Sequence, residues 1–162
     1  EELIKAMIKI IDLSNGGTVL VYNKKFEYSR IKEWTYIFPE YKEALEKINQ
    51  HMFDLYDLLR SNNRLYVKEF GLSEEEAKLF NYYHPDLQGS FSIKKVLPLF
   101  SELTYEDLTI SNGSEALAYY ASYHKYKPED LKEIHEKLIE YCRQDTWAMV
   151  MILHGLIQRV NN

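Results

Sequence analysis

Two carboxylates stand where this 162-residue chain otherwise places apolar side chains. Along residues 128–160, Leu131, Ile134, Leu138, Tyr141, Asp145, Met149, Ile152 and Leu156 recur at helical spacing. Leu131, Leu138, Asp145 and Ile152 are seven apart and fall nearly in one row. A desolvated carboxylate on such a stripe costs several kcal/mol unless it is hydrogen-bonded, paired or bound to a metal. Tyr141 stands one turn earlier on the same face. The second acid, Glu27, opens a helical pattern directly after an apolar run and shares a stripe with Ile31, Trp34 and Phe38. Strand-to-helix junctions deliver side chains to the carboxyl edge of an α/β sheet, where ligands bind. Carboxylates on two elements with a tyrosine beside one of them suit a hard divalent cation, Mg²⁺ or Mn²⁺. Paired ions of that kind activate water in phosphodiester cleavage. That chemistry requires Glu27 and Asp145 to converge. An internal ion pair satisfies Asp145 equally well, and a first-turn Glu27 favours the helix dipole with no function at all.

Other residues offer less. Lys24, Lys25, Arg30 and Lys32 gather beside Glu27 and could contact phosphates, as could Lys94 and Lys95. The competing account is a solvated helix face. Histidines 51, 84, 124, 135 and 154 show no metal-ligand spacing, and His84 before Pro85 reads as loop structure. Cys142 adjoins the inward stripe and is expected in the core. Tyr119, Tyr120, Tyr123 and Tyr126 either stack on bases or, as the pattern favours, pack on a sheet.

These residues need a frame. Residues 2–12 carry one apolar helical stripe, ended by Ser14-Asn15-Gly16-Gly17. Residues 18–22 form a short β-branched run, read as a buried strand. Helical spacing follows to Phe38, stops at Pro39, and resumes over 40–50. Residues 52–55 fit a strand or a helix start, and residues 60–72 a loop or hairpin. Ser73 and Glu76 make a capping box. Residues 82–89 connect to a helix capped by Ser90 or Ser92 and stopped by Pro98. Residues 103–111 read as loop with a short extended piece, Ser114 caps the next helix, and Pro128 opens the last one. The order predicts an α/β, helix-rich single domain over 1–162, with too few strands to close a sheet.

With 20 basic against 25 acidic residues the net charge is −5, which excludes a generally basic nucleic-acid coat but leaves room for a local groove. One cysteine excludes an internal disulfide framework. No apolar run approaches the roughly 20 residues of a membrane helix, and no basic-then-apolar leader opens the chain. It begins Glu1-Glu2, so it is expected to be a piece of a longer, cytoplasmic protein.

The sequence Tyr141-Cys-Arg-Gln-Asp145 resembles the Tyr-x3-Asp third motif of DEDDy-type 3′–5′ exonucleases of the ribonuclease H-like superfamily. The run from Val19 to Glu27 resembles their second motif, with Tyr22 in place of His and Glu27 in place of Asp. Longer stretches are similar to an uncharacterised bacterial domain family held to be exonuclease-like: 21–27, Tyr82-Tyr-His-Pro85, 89–94 with 96–98, and 140–146. The resemblance implies a truncated ribonuclease H-like domain lacking its N-terminal strands. It makes Asp145 and Glu27 metal-associated carboxylates, with Tyr141 orienting the attacking water. Asn23 and Phe26 would shape the strand-helix junction and touch the nucleotide. The first motif, Asp-x-Glu, is absent from the 162 residues. It is expected upstream in the parent protein, so the fragment alone is expected to be inactive. A non-catalytic nucleic-acid-binding or scaffold module of the same fold is the alternative. An exposed sheet edge would favour a homodimer.

Overall fold

The structure is a computed structural model describing residues 1–60, 62–79 and 82–161. The chain divides into two compact units, Glu1–His84 and Pro85–Asn162.

In the first unit, helix α1 (Glu2–Ile10) buries Ile4 through its apolar stripe. Strand β1 (Val19–Val21) follows, then α2 (Lys25–Ile37) and α3 (Lys42–Gln50), with Pro39 opening a single 3-10 turn between them. Strand β2 (Met52–Asp54) returns parallel to β1, pairing Val19 with Met52 and Val21 with Asp54. Parallel strands need such a long crossover, and α2 and α3 supply it. Ile4, Leu13, Val21, Ile31, Leu45, Ile48 and Met52 form one core, with Trp34 and Phe38 packed against it. The doubtful segment 52–55 is therefore both things: β2 gives way at once to α4 (Leu55–Leu59).

The loop or hairpin expected over 60–72 is instead a helix, α5 (Asn63–Phe70); Ser61 lies outside the described residues. Asn62 caps it by accepting from Leu65 N–H at 3.2 Å, and Gly71 ends it in the left-handed conformation, φ 69°. The capping box opens α6 (Glu74–Ala77) as read: Ser73 Oγ accepts from Glu76 N–H and Glu76 Oε2 accepts from Ser73 N–H.

In the second unit, Ser92 rather than Ser90 precedes α7 (Ile93–Val96), and Pro98 lies in the 3-10 turn that follows. Residues 103–111 contain no strand among the described residues and bury Tyr105 and Ile110. The cap of α8 (Gly113–Ala121) is Asn112, whose side chain accepts from Glu115 N–H at 2.9 Å; Ser114 is already inside the helix. Helix α9 (Pro128–Asn161) starts on Pro128 as expected. Its inward stripe is as read, with Ile134 and Ile152 buried and Leu131, Leu138, Tyr141, Asp145, Met149 and Leu156 half-buried. Gly155 is buried because Phe100 lies against its backbone.

Candidate functional site

Asp145 is half-buried on the α9 stripe, and its partner is a tyrosine. The Tyr105 hydroxyl, delivered by the loop 40 residues upstream, donates to Asp145 Oδ1 at 2.7 Å. Tyr105 is 5% exposed, so this bond satisfies a phenol that otherwise loses its water. No ion pair among the described residues involves Asp145, so its charge is held by a neutral donor and not cancelled. The Tyr141 ring lies 6.4 Å from that of Tyr105. Burial, and then the hydrogen bond and the charge of Asp145, push the Tyr141 hydroxyl well above the ordinary phenol range. Lys94 Nζ sits 5.6 Å from the Tyr105 ring centroid and brings a cation beside this group. Asp145, Tyr141 and Lys94 thus belong to one cluster, with Tyr105 as a member that sequence pattern did not reveal.

The first unit holds the other candidates. Asn23 takes a left-handed conformation, φ 68°, which Asn tolerates better than most residues, and it turns the chain from β1 into α2. Glu27 is half-buried in the first turn of α2, with Oε2 shielded from solvent. Lys24 is not free for a phosphate: its Nζ donates to Met52 O at 2.9 Å, across the ends of the two strands. Phe26 points outward and is 67% exposed. Asp54, which the sequence pattern did not single out, organises this junction. It is 8% exposed, and its carboxylate accepts from three backbone amides: Asn23 at 2.9 Å, Lys24 at 2.8 Å and Tyr56 at 3.0 Å. Most of its lone pairs are used by the fold.

Two further expectations are corrected. Cys142 is exposed and not core, because α9 carries apolar side chains on a second, outer face; burial and the charge of Asp145 push its thiol up. The tyrosines of α8 and the following turn pair with one another: Tyr119 stacks on Tyr126 at 6.4 Å, and Tyr120 meets Tyr123 at 5.3 Å.

Among the described residues no three His, Cys, Asp or Glu side chains gather as a metal cage. Asp145 and Glu27 belong to different units, and each brings one carboxylate. The residues present do not by themselves fit a pair of divalent ions.

A family model described as Domain of unknown function (DUF2779) matches residues 1–92, more than half of the sequence. The chain belongs to that family. The DUF2779 segment includes Asn23, Lys24, Phe26, Glu27 and Asp54, whereas Lys94, Tyr105, Tyr141 and Asp145 lie beyond it. The chain is also 28% identical over 169 residues to the Uncharacterized protein UU173 of Ureaplasma parvum serovar 3, a bacterial relative. That alignment covers 93% of this chain and 22% of the relative, so the chain spans about a fifth of the protein it matches. No solved structure matches. The architecture is helix-rich with a small parallel sheet, and among the described residues no helix is long and apolar enough to cross a membrane.

Proposed function

We propose that this DUF2779 chain is part of a metal-dependent 3′–5′ exonuclease-type nuclease domain of ribonuclease H-like fold that acts on nucleic acid in the parent protein. The reading rests on one observation. Asp145 stands on an apolar stripe, accepts from the Tyr105 hydroxyl and, among the described residues, joins no ion pair. A half-buried carboxylate held by a neutral hydroxyl rather than by a cation still has lone pairs for a cation from outside. In this reading Asp145 and Glu27 are each candidate metal-associated carboxylates, one in each unit, and Tyr141, protonated at neutral pH, holds a water by its hydroxyl. Mg²⁺ or Mn²⁺ would supply the charge stabilisation that phosphodiester hydrolysis needs. Lys94, Asn23 and Phe26 are the candidate strand contacts.

The 162 residues contain no Asp-x-Glu and no three-ligand cluster among those described, so the isolated chain is expected to be inactive. The same two facts favour the second reading, a binding module that keeps the fold without catalysis. The deciding experiment uses the parent protein with Mn²⁺ on 3′-labelled single-stranded DNA and RNA, with Asp145→Ala and Glu27→Gln beside it. Loss of a robust activity in both variants supports the nuclease. Binding without hydrolysis in every protein supports the module, and neither activity nor binding removes both readings. A homodimer along the edge of the two-strand sheet is part of the proposal, and gel filtration of the chain as a monomer would remove that part.

A further inference from the structure

A cleft of about 530 Å³ opens on the second unit, between Tyr120 of α8, Tyr123 of the turn after it and one face of α9. Tyr120, Tyr123, His135, Ile139, Cys142 and Arg143 line it. Its volume falls in the range of small-molecule sites, roughly 300–1,000 Å³. The aromatic rings here differ from their neighbours. Tyr119 and Tyr126 lie 22° from parallel and cover each other. Tyr120 and Tyr123 are tilted by 47°, and Tyr120 is 67% exposed, so a ring face is left for a third ring. Among the described residues that line it, the only full charge is that of Arg143, no carboxylate borders the cleft, and the Arg143 guanidinium makes no ion pair. His135 is fixed in the lining, its Nδ1 lying 3.4 Å from the Tyr123 hydroxyl. A planar ring that stacks, joined to an anion that meets a guanidinium, is the chemistry such a lining selects.

We propose that this cleft seats one nucleotide of a single-stranded nucleic acid, with its base on Tyr120 and its phosphate at Arg143. The inference takes its ligand class from the nucleic-acid reading above and adds a subsite independent of Asp145 and of any metal. A free nucleotide carries the same base and phosphate, so the test separates the two sources.

The test measures fluorescence anisotropy of a labelled short oligodeoxyadenylate with the full chain, in EDTA, so that hydrolysis plays no part. An abasic strand of equal length and adenosine monophosphate are the comparison ligands. The oligonucleotide is expected to bind, the abasic strand more weakly, and the monophosphate to compete poorly. Tyr120→Ala should weaken binding about tenfold while Tyr120→Phe retains it. Arg143→Gln should weaken binding and lower the salt dependence by about one phosphate. Both side chains are exposed, so unchanged circular dichroism melts confirm that the variants fold. Equal binding of the abasic strand, indifference to both substitutions, or preference for the free nucleotide each overturns the proposal. So does failure of the wild type to bind, including the case where the cleft proves to be covered by a second protein chain. Because no metal is present, tenfold loss in Tyr120→Ala alongside an inert Asp145→Ala comparison in the parent would sink the nuclease reading and leave this site standing.

Discussion

Removing the Asp54 carboxylate should unlock the end of the sheet, and the size of the loss follows from its partners. In Asp54→Ala, the Asn23 and Lys24 amides lose their acceptor where water reaches them poorly, and α4 loses its cap. An unsatisfied donor of this kind costs about 1–3 kcal/mol, and a lost cap about 1 kcal/mol. With partial rescue by water the sum is about 3–5 kcal/mol, a large part of the roughly 5–15 kcal/mol that holds a domain together. Asp54→Asn tests the geometry more finely. Asp54 Oδ1 serves both Asn23 and Tyr56, so one amide oxygen can keep two bonds. The amide NH₂ then faces Lys24 N–H, donor against donor, and about half the loss is expected. At about 2–4 °C per kcal/mol for a chain of this size, Asp54→Ala should lower Tm by about 10 °C and Asp54→Asn by about 5 °C. Asp57→Ala is the control, because Asp57 meets Arg60 at 2.8 Å near the surface and its pair is worth under about 1 kcal/mol. Thermal and urea melts followed by circular dichroism give the answer. If Asp54→Ala melts with the Asp57 control, or if Asp54→Asn is as costly as Asp54→Ala, the brace is not what the hydrogen bonds imply.

Three other predictions follow from the second unit and the buried phenols. A Cβ on Gly155 would stand 2.5 Å from Phe100 Cδ1, so Gly155→Ala should destabilise by about 1–2 kcal/mol, overpacking outweighing the gain in helix propensity; a higher Tm would contradict this. Asp145→Leu completes the apolar stripe but strands the buried Tyr105 hydroxyl, so the double variant with Tyr105→Phe should be more stable than Asp145→Leu alone, measured as a double-mutant cycle. Burial raises both Tyr22 and Tyr141, so each holds its proton more tightly folded than unfolded. Their contribution is complete below about pH 10 and is lost as the unfolded chain deprotonates first; Tm should fall above that pH, less steeply in Tyr22→Phe and Tyr141→Phe.

The elements legible in the sequence were those whose signal is local. The stripes of α1 and α9, the β-branched run of β1, Pro128 and the Ser73–Glu76 capping box each sit within a few turns of chain. Helix α5 was missed: residues 60–72 read as a loop or hairpin, although Asn62 and Gly71 bracket the helix with a cap and a left-handed stop. What stayed hidden depends on distant partners. Nothing near Asp54 announces that Asn23 and Lys24, some 30 residues earlier, will turn their amides toward it; parallel pairing alone brings them there. Tyr105 is likewise 40 residues from the acid it serves. Cys142 was misplaced because periodicity identifies one apolar stripe, and a 34-residue helix can carry a second, exposed one.

The contrast between the two buried acids says where the chemistry must be sought. Asp54 lies within the stretch that defines DUF2779 membership, and it is consumed by three backbone amides. Asp145 lies beyond that stretch and accepts from the Tyr105 hydroxyl instead. Membership therefore speaks to the β1–α2–α3–β2 frame, while the proposed chemistry depends on whether the second unit travels with it. The alignment to UU173 bears on this directly. Covering 93% of the chain, it leaves out about a dozen residues, fewer than the 17 that follow Asp145, so it reaches position 145. If the Tyr141–Asp145 pair is a site, the Ureaplasma protein should carry a tyrosine and a carboxylate at the aligned positions, with a hydroxyl-bearing residue opposite Tyr105. A leucine or isoleucine at 145 there would mean that the stripe is merely packing in the relative, and the case for a shared metal-binding acid would fail on that single residue.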